Sequence, residues 1–226
     1  MHDVALQDLP VTLCFDRAGL VGEDGATHNG AFDMSAYRSI PNIVISAPMD
    51  ETELKSLMYT SLQQESPMII RYPRGMGEGT DWRNAGYRNL TVGTGEKLVE
   101  GGKVAVLAIG PVANRAVEAA EELRKETGCA PCVYNMRYLK PLDENLIEEA
   151  LASADTFLTL EDGSLCGGLF GAVTEYMASK GHMVRIERLG IPDRFIVQDT
   201  QKAQRKECGL DKDSILEKVR LLMQKD

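Results

Sequence analysis

"NIVISAPMDETELKSLMYTSLQQESPMIIRYPRG", residues 42–75, decides the fold class. Its first part, "NIVISAP" (42–48), is a short apolar run rich in β-branched residues, as expected of a buried strand. "DETELKSLMYTSLQQ" (50–64) opens on an acidic turn and then sets Leu54, Leu57, Met58, Ser61 and Leu62 at helical spacing. "PMIIRYPRG" (67–75) is a second strand that ends in Tyr72-Pro73-Arg74-Gly75. A strand, a helix and a strand of these lengths make a βαβ unit. The sheet is therefore parallel, with polar residues gathered at its carboxyl edge.

Towards the N-terminus, "PVTLCF" (10–15) reads as a third strand leading into Asp16, Arg17 and the loop "GLVGEDGATHNGAFD" (19–33). Gly19, Gly22, Gly25 and Gly30 let that loop turn tightly and reach positive φ. Asp24 and His28 are the polar side chains it presents. "MHDVALQ" reads as the end of a helix already under way, and a three-stranded parallel sheet leaves its first edge open. The expectation is a chain that has lost an N-terminal part or borrows one from another chain.

Towards the C-terminus, residues 75–90 are polar, glycine-rich and without periodicity, which marks a domain boundary. Four strands then alternate with helices: strands at 103–110, 132–139, 156–162 and 183–190, and helices at 112–126, 143–153, 167–181 and 212–225. The fold class is thus α/β, with two small doubly wound domains whose sheets are mostly parallel. The domains are placed at 1–80 and 91–226, with a linker at 81–90.

The chain has 226 residues, 43% hydrophobic and 26% charged, which is ordinary globular composition. A formal charge of -9 with no basic run argues against nucleic acid and against an anionic membrane surface. No apolar stretch of about twenty residues and no leader pattern is visible, so the expected compartment is the cytoplasm. The cysteines are odd in number, Cys14, Cys129, Cys132, Cys166 and Cys208, and scattered through apolar sequence, which suits reduced thiols. Cys129 and Cys132 form a lone CxxC, read as thiols leading into a strand and not as a zinc or redox site. Gly163, Gly167, Gly168 and Gly171 lack the dinucleotide-binding spacing, and close helix-to-strand packing explains them better. His2 and His182 read as surface residues.

Arg17 and Arg74 close strands that should emerge at one sheet edge, and Asp24 and His28 lie in the loop between them. Two guanidinium forks match a phosphate or carboxylate. His28 can exchange protons with a hydroxyl or carbonyl near neutral pH, and Asp24 can accept from hydroxyls. These residue types fit a phosphorylated hydroxy-carbonyl compound. The alternative stays open that Asp24-Gly25 is only a turn, His28 an exposed loop residue, and the arginines surface partners of Glu23 or Asp33. No metal ligands are assigned, because one histidine among scattered carboxylates lacks ligand spacing.

"GEDGATHNGAF" resembles a loop of the transketolase superfamily of thiamine-diphosphate enzymes. With "DRAGLVGEDGATHNGAFD", "RYPRG", "KPLD" and "GIPDRFI", the chain resembles the 1-deoxy-D-xylulose-5-phosphate synthases within it, over essentially all 226 residues. The resemblance implies that residues 1–80 are the later half of a pyrimidine-binding domain and 91–226 a transketolase C-terminal domain. It implies a homodimeric transferase that condenses pyruvate with D-glyceraldehyde 3-phosphate and releases carbon dioxide, using thiamine diphosphate and Mg2+, in isoprenoid, thiamine and pyridoxal precursor synthesis. Arg17 and Arg74 match the arginines that hold the aldehyde's phosphate. Asp24 and His28 match the substrate-contacting, catalytic pair. The GDG magnesium motif and the glutamate that activates the cofactor are absent from these residues, so the chain alone is expected to bind no cofactor and to be inactive. Its cofactor-binding residues are therefore unassigned. The alternatives are a separately encoded β-like subunit and a non-catalytic dimerisation or regulatory module.

Overall fold

The computed structural model describes residues 1–224. Three short strands, β1 (Thr12–Phe15), β2 (Val44–Ser46) and β3 (Met68–Arg71), pair in parallel with β3 in the middle. Helix α1 (Asp33–Arg38) follows the glycine loop, and α2 (Glu51–Ser61) connects β2 to β3 as the βαβ reading requires. Asp50 starts α2 by accepting a hydrogen bond from Glu53 N, which satisfies one of the amides a helix leaves open.

The second sheet has the order β4-β6-β5-β8-β9. Its strands are β4 (Glu96–Val99), β5 (Lys103–Ile109), β6 (Cys132–Asn135), β8 (Ala154–Ser164) and β9 (Arg185–Ile191). Helices α3 (Val112–Thr127), α4 (Glu144–Ser153), α5 (Leu169–Lys180), α6 (Gln201–Glu207) and α7 (Lys212–Gln224) complete it. Along β5 the side chains alternate between two cores. Val104, Val106 and Ala108 meet α3 and α7, whereas Ala105, Leu107 and Ile109 meet α4 and α5. A parallel sheet covered on both faces is what a near-continuous apolar strand demands. The second of these cores also takes in Met34, Ile45 and Ile69, so the two sheets share one apolar interior.

Three sequence expectations are corrected. The run 132–139 is not one strand: Arg137, with φ +53, turns the chain out of β6. The following residues, β7 (Tyr138–Lys140), then pair antiparallel with β2 and make the first sheet four-stranded, order β1-β3-β2-β7. β1 is left as its outer edge. The second sheet has five strands and not four, because β4 pairs antiparallel with β6. Residues 2–8 form turns, closed by Leu6 N to Met1 O and Leu9 N to Val4 O, and not the tail of a helix. Between β3 and β4 there is no helix or strand, yet this stretch lies along α2: Lys55 Nζ donates to Ala85 O at 2.6 Å, and Leu90 N to Thr60 Oγ1 at 2.8 Å.

Candidate active-site loop

The loop between β1 and α1 is tied at its neck by Gly19 N to Gly30 O, 2.9 Å, and Gly30 N to Arg17 O, 3.0 Å. Its far side is gripped from α6. Gln204, fully buried, accepts from Gly22 N at 2.8 Å and donates to Val197 O at 2.8 Å. Gln201 Nε2 donates to Leu20 O at 2.7 Å and to Arg74 O at 2.9 Å. Asn29 links Val21 N to Ile196 O. A glycine-rich segment that would otherwise sample many conformations is thereby held in one.

From below, Arg71 fixes the same loop. Its side chain, 1% exposed, is paired with Asp33 at 2.7 Å and donates to Gly30 O and to Asp162 O. The end of β8 joins in through Ser164 N to Ala31 O, 2.7 Å. Burial drives the Asp162 carboxyl up from its ordinary range, against the pull of Arg71, Arg205 and Arg115.

The loop tip brings three of the four sequence-predicted residues together. Asp24, in a single 3-10 turn (Gly22–Asp24), places Oδ2 3.1 Å from Arg74 Nε and 3.6 Å from Arg17 Nε. Arg17 also pairs with Asp16, and Arg74 Nη1 donates to Val21 O at 3.3 Å. Asp24, not Glu23 or Asp33, is therefore the partner of both arginines. Their side chains are 44% and 45% exposed, so both guanidiniums remain open to a ligand. Arg17 holds φ +62, a left-handed conformation that a non-glycine residue adopts at a cost and that recurs at functional sites. His28 stands apart: it is exposed, and among the described residues its Nδ1 meets only the Thr27 hydroxyl, 3.0 Å away. Beside Arg74 a cleft of about 180 Å³ is lined by Met49, Asp50, Tyr72, Met76, Glu78 and Arg205. Burial raises the Tyr72 hydroxyl and lowers the Arg205 guanidinium, the latter helped by Arg115.

The glycine cluster after β8 closes around protein and not around an anion. Glu161, buried, accepts from Leu169 N at 2.8 Å and Phe170 N at 3.1 Å, so a carboxylate of the chain itself fills the N-terminus of α5. A side chain at Gly168 would start 1.8 Å from that carboxylate. His182 Nε2 lies 2.9 Å from Glu148, at the surface.

Residues 93–215 match the family model of the transketolase C-terminal domain, and residues 1–78 that of the transketolase pyrimidine binding domain. The chain belongs to the transketolase family. Among curated relatives, this transketolase chain is 46% identical over 220 residues to 1-deoxy-D-xylulose-5-phosphate synthase of Bacteroides thetaiotaomicron, covering 97% of this chain and 34% of that protein. It is 44% identical over 220 residues to the Aquifex aeolicus protein of the same name, with 97% and 35% covered. The chain thus spans about a third of the length of these curated relatives. Among solved structures it is similar to "Split gene transketolase, inactive beta4 tetramer", with TM-score 0.84, 28% identity and coverage of 97% of this chain and 69% of that one.

Transketolases use thiamine diphosphate. Among the described residues, however, no group of three or more His, Cys, Asp or Glu side chains could hold a metal ion, and the sequence holds no GDG string. The donor set present does not fit a magnesium diphosphate. Among the described residues no helix is long and apolar enough to cross a membrane.

Proposed function

We propose that this chain carries the acceptor-phosphate side of a 1-deoxy-D-xylulose-5-phosphate synthase active site. In this reading residues 1–80 are the later half of the pyrimidine-binding domain, 81–90 a linker and 91–226 the C-terminal domain, and a further polypeptide segment holds thiamine diphosphate and Mg2+. The chain alone binds neither and is inactive. The complete enzyme is a cytoplasmic homodimer that takes pyruvate and D-glyceraldehyde 3-phosphate.

One observation carries this reading: Asp24 holds Arg17 and Arg74 side by side at the carboxyl edge of a parallel sheet, with both guanidiniums exposed. In both arginines Nη2 makes no hydrogen bond among the described residues, and a phosphate oxygen supplies the missing acceptor. Asp24 keeps the two forks aligned and orients a substrate hydroxyl. His28, on the open side of the loop, reaches the reacting carbonyl or hydroxyl and moves its proton there.

Arg74→Ala in the assembled enzyme tests this. Loss of a charged hydrogen-bonding partner worth about 1.5–3 kcal/mol should raise KM for D-glyceraldehyde 3-phosphate by about 10- to 100-fold and leave that for pyruvate nearly unchanged. Equal effects on both substrates would defeat the assignment. The second reading, a separately encoded β-like subunit, is favoured by the similarity to a split-gene transketolase over 97% of this chain. In both readings the arginine pair has the same role, and they differ in whether the cofactor-holding part is encoded in the same reading frame.

A further inference from the structure

Beneath the active-site loop lies a carboxylate that nothing in the proposed chemistry uses. Asp162 belongs to β8, on the C-terminal sheet, at a point where the ladder to β9 breaks register between Leu160 and Ser164. Such bulges re-aim a side chain out of the sheet. Here the carboxyl is turned up under the loop of the other sheet and fills the space left by Gly19: all three of its carboxyl atoms lie 2.1–2.2 Å from where a Gly19 Cβ would be. Gly19 has φ +73, so the backbone conformation and the space both require glycine. The Leu20 amide, next along the loop, faces the same carboxyl and favours its charged form. Oδ1 is sealed from solvent and has no hydrogen-bond partner among the described residues.

Burying an unpartnered polar atom costs stability, and an apolar side chain of the same shape would avoid that cost. A residue kept only for the fold would not be built this way. We propose that Asp162 is a positioning residue: through Gly19 and Leu20 it sets the conformation of the loop that aligns Arg17 and Asp24 with Arg74, so that the C-terminal sheet determines phosphate affinity at a site on the N-terminal sheet. This inference rests on the reading of Arg17 and Arg74 as a phosphate site. The short distance from loop neck to tip, Gly19 to Asp24, makes the coupling local, and Gly22, held by Gln204, is the second fixed point between them.

The experiment is a calorimetric titration of the 226-residue chain with inorganic phosphate at low ionic strength, alongside thermal unfolding, for wild type, Arg74→Ala, Asp162→Asn and Asp162→Leu. Asp162→Asn keeps the shape and an acceptor for Leu20 N–H, and should bind within about threefold of wild type. Asp162→Leu removes the acceptor and should weaken binding about tenfold or more with an unfolding temperature equal to or above that of wild type. That combination separates positioning from a structural role, which would lower both together. If Asp162→Leu binds like wild type while Arg74→Ala loses binding, the inference falls and the phosphate site stands. If wild type shows no saturable binding, or Arg74→Ala binds as wild type does, both fall.

Discussion

A single methyl group at Gly19 would be felt across the molecule. Its Cβ would begin inside the Asp162 carboxyl, at a backbone angle of φ +73. Gly19→Ala is expected to cost about 2–4 kcal/mol, of which about 1–2 is the left-handed conformation and the remainder the collision. Pairing it with Asp162→Ala should recover the collision part, so urea unfolding of the two single variants and the double variant should be non-additive by about 1 kcal/mol or more. Additive costs would mean that the loop relaxes away from Asp162. At this scale the sequence was informative for Arg17, Asp24 and Arg74, because each lies within a few residues of a strand end or in the glycine loop, where a parallel sheet collects polar groups. Asp162 and Gln204 were not legible: Gln204 meets Gly22 across 182 residues of chain, and no local pattern encodes such a contact. His28 was legible as a candidate but not in its placement, since its ring partner among the described residues is its neighbour Thr27.

Among the elements, α4, α6 and α7 begin where a side chain satisfies the first amides, and these starts are testable one at a time. Asp143 accepts from Leu146 N and Thr200 from Ala203 N, and Asp211 stands before α7 and takes Ser214 N at 3.2 Å and Ser214 Oγ at 2.7 Å. Burial works to raise the Asp211 carboxyl, but the hydrogen bonds from Ser214 and its own turn outweigh it and hold it below the usual aspartate range. A carboxyl lowered in the folded state contributes stability above the unfolded value, near pH 3.8, and loses it as pH falls through the folded value. Asp211→Ala should therefore cost about 1 kcal/mol at neutral pH, with the deficit shrinking below about pH 4; a deficit that stays constant to pH 2 would reject the cap. The long strands and α2, α3, α4, α5 and α7 were legible from periodicity because each offers several repeats. α1 and α6 span only 6 and 7 residues, too few to establish a period against their loops, and β4, "EKLV", is too polar to stand out as a buried strand. The β6–β7 break was hidden for another reason: "CVYNMRYL" holds no glycine or proline to mark a turn, and Arg137 turns the chain through partners distant in sequence, Glu53 and Glu96.

Those partners join the two halves of the molecule. Arg137 Nε pairs with Glu53 of α2, with side chains 5% and 9% exposed, and Asn135 and Met49 N bond the same carboxylate. Removing Glu53 leaves the buried Arg137 with only the half-exposed Glu96 as counter-charge, so Glu53→Ala is expected to destabilise by about 3 kcal/mol, and a loss under about 1 kcal/mol in chemical unfolding would show that the halves are held by the shared apolar core instead. The thiols report on the same compactness. Cys14, Cys129 and Cys166 are exposed, whereas Cys132 and Cys208 are buried, and burial pushes the Cys208 thiol up to about 11. Iodoacetamide at neutral pH should label the first three and reach the other two only on unfolding; early modification of Cys208 would contradict the packing of α6 under the loop. The central claim is that this chain holds one side of a composite site, and carbon-dioxide release tests it most directly. The purified chain is given labelled pyruvate, D-glyceraldehyde 3-phosphate, thiamine diphosphate and Mg2+, alone and mixed with a polypeptide matching the remainder of the curated relatives. No release is expected from the chain alone, and release from the mixture. Sustained release by the chain alone would contradict it, because the cofactor would then be held by residues assigned here to the fold.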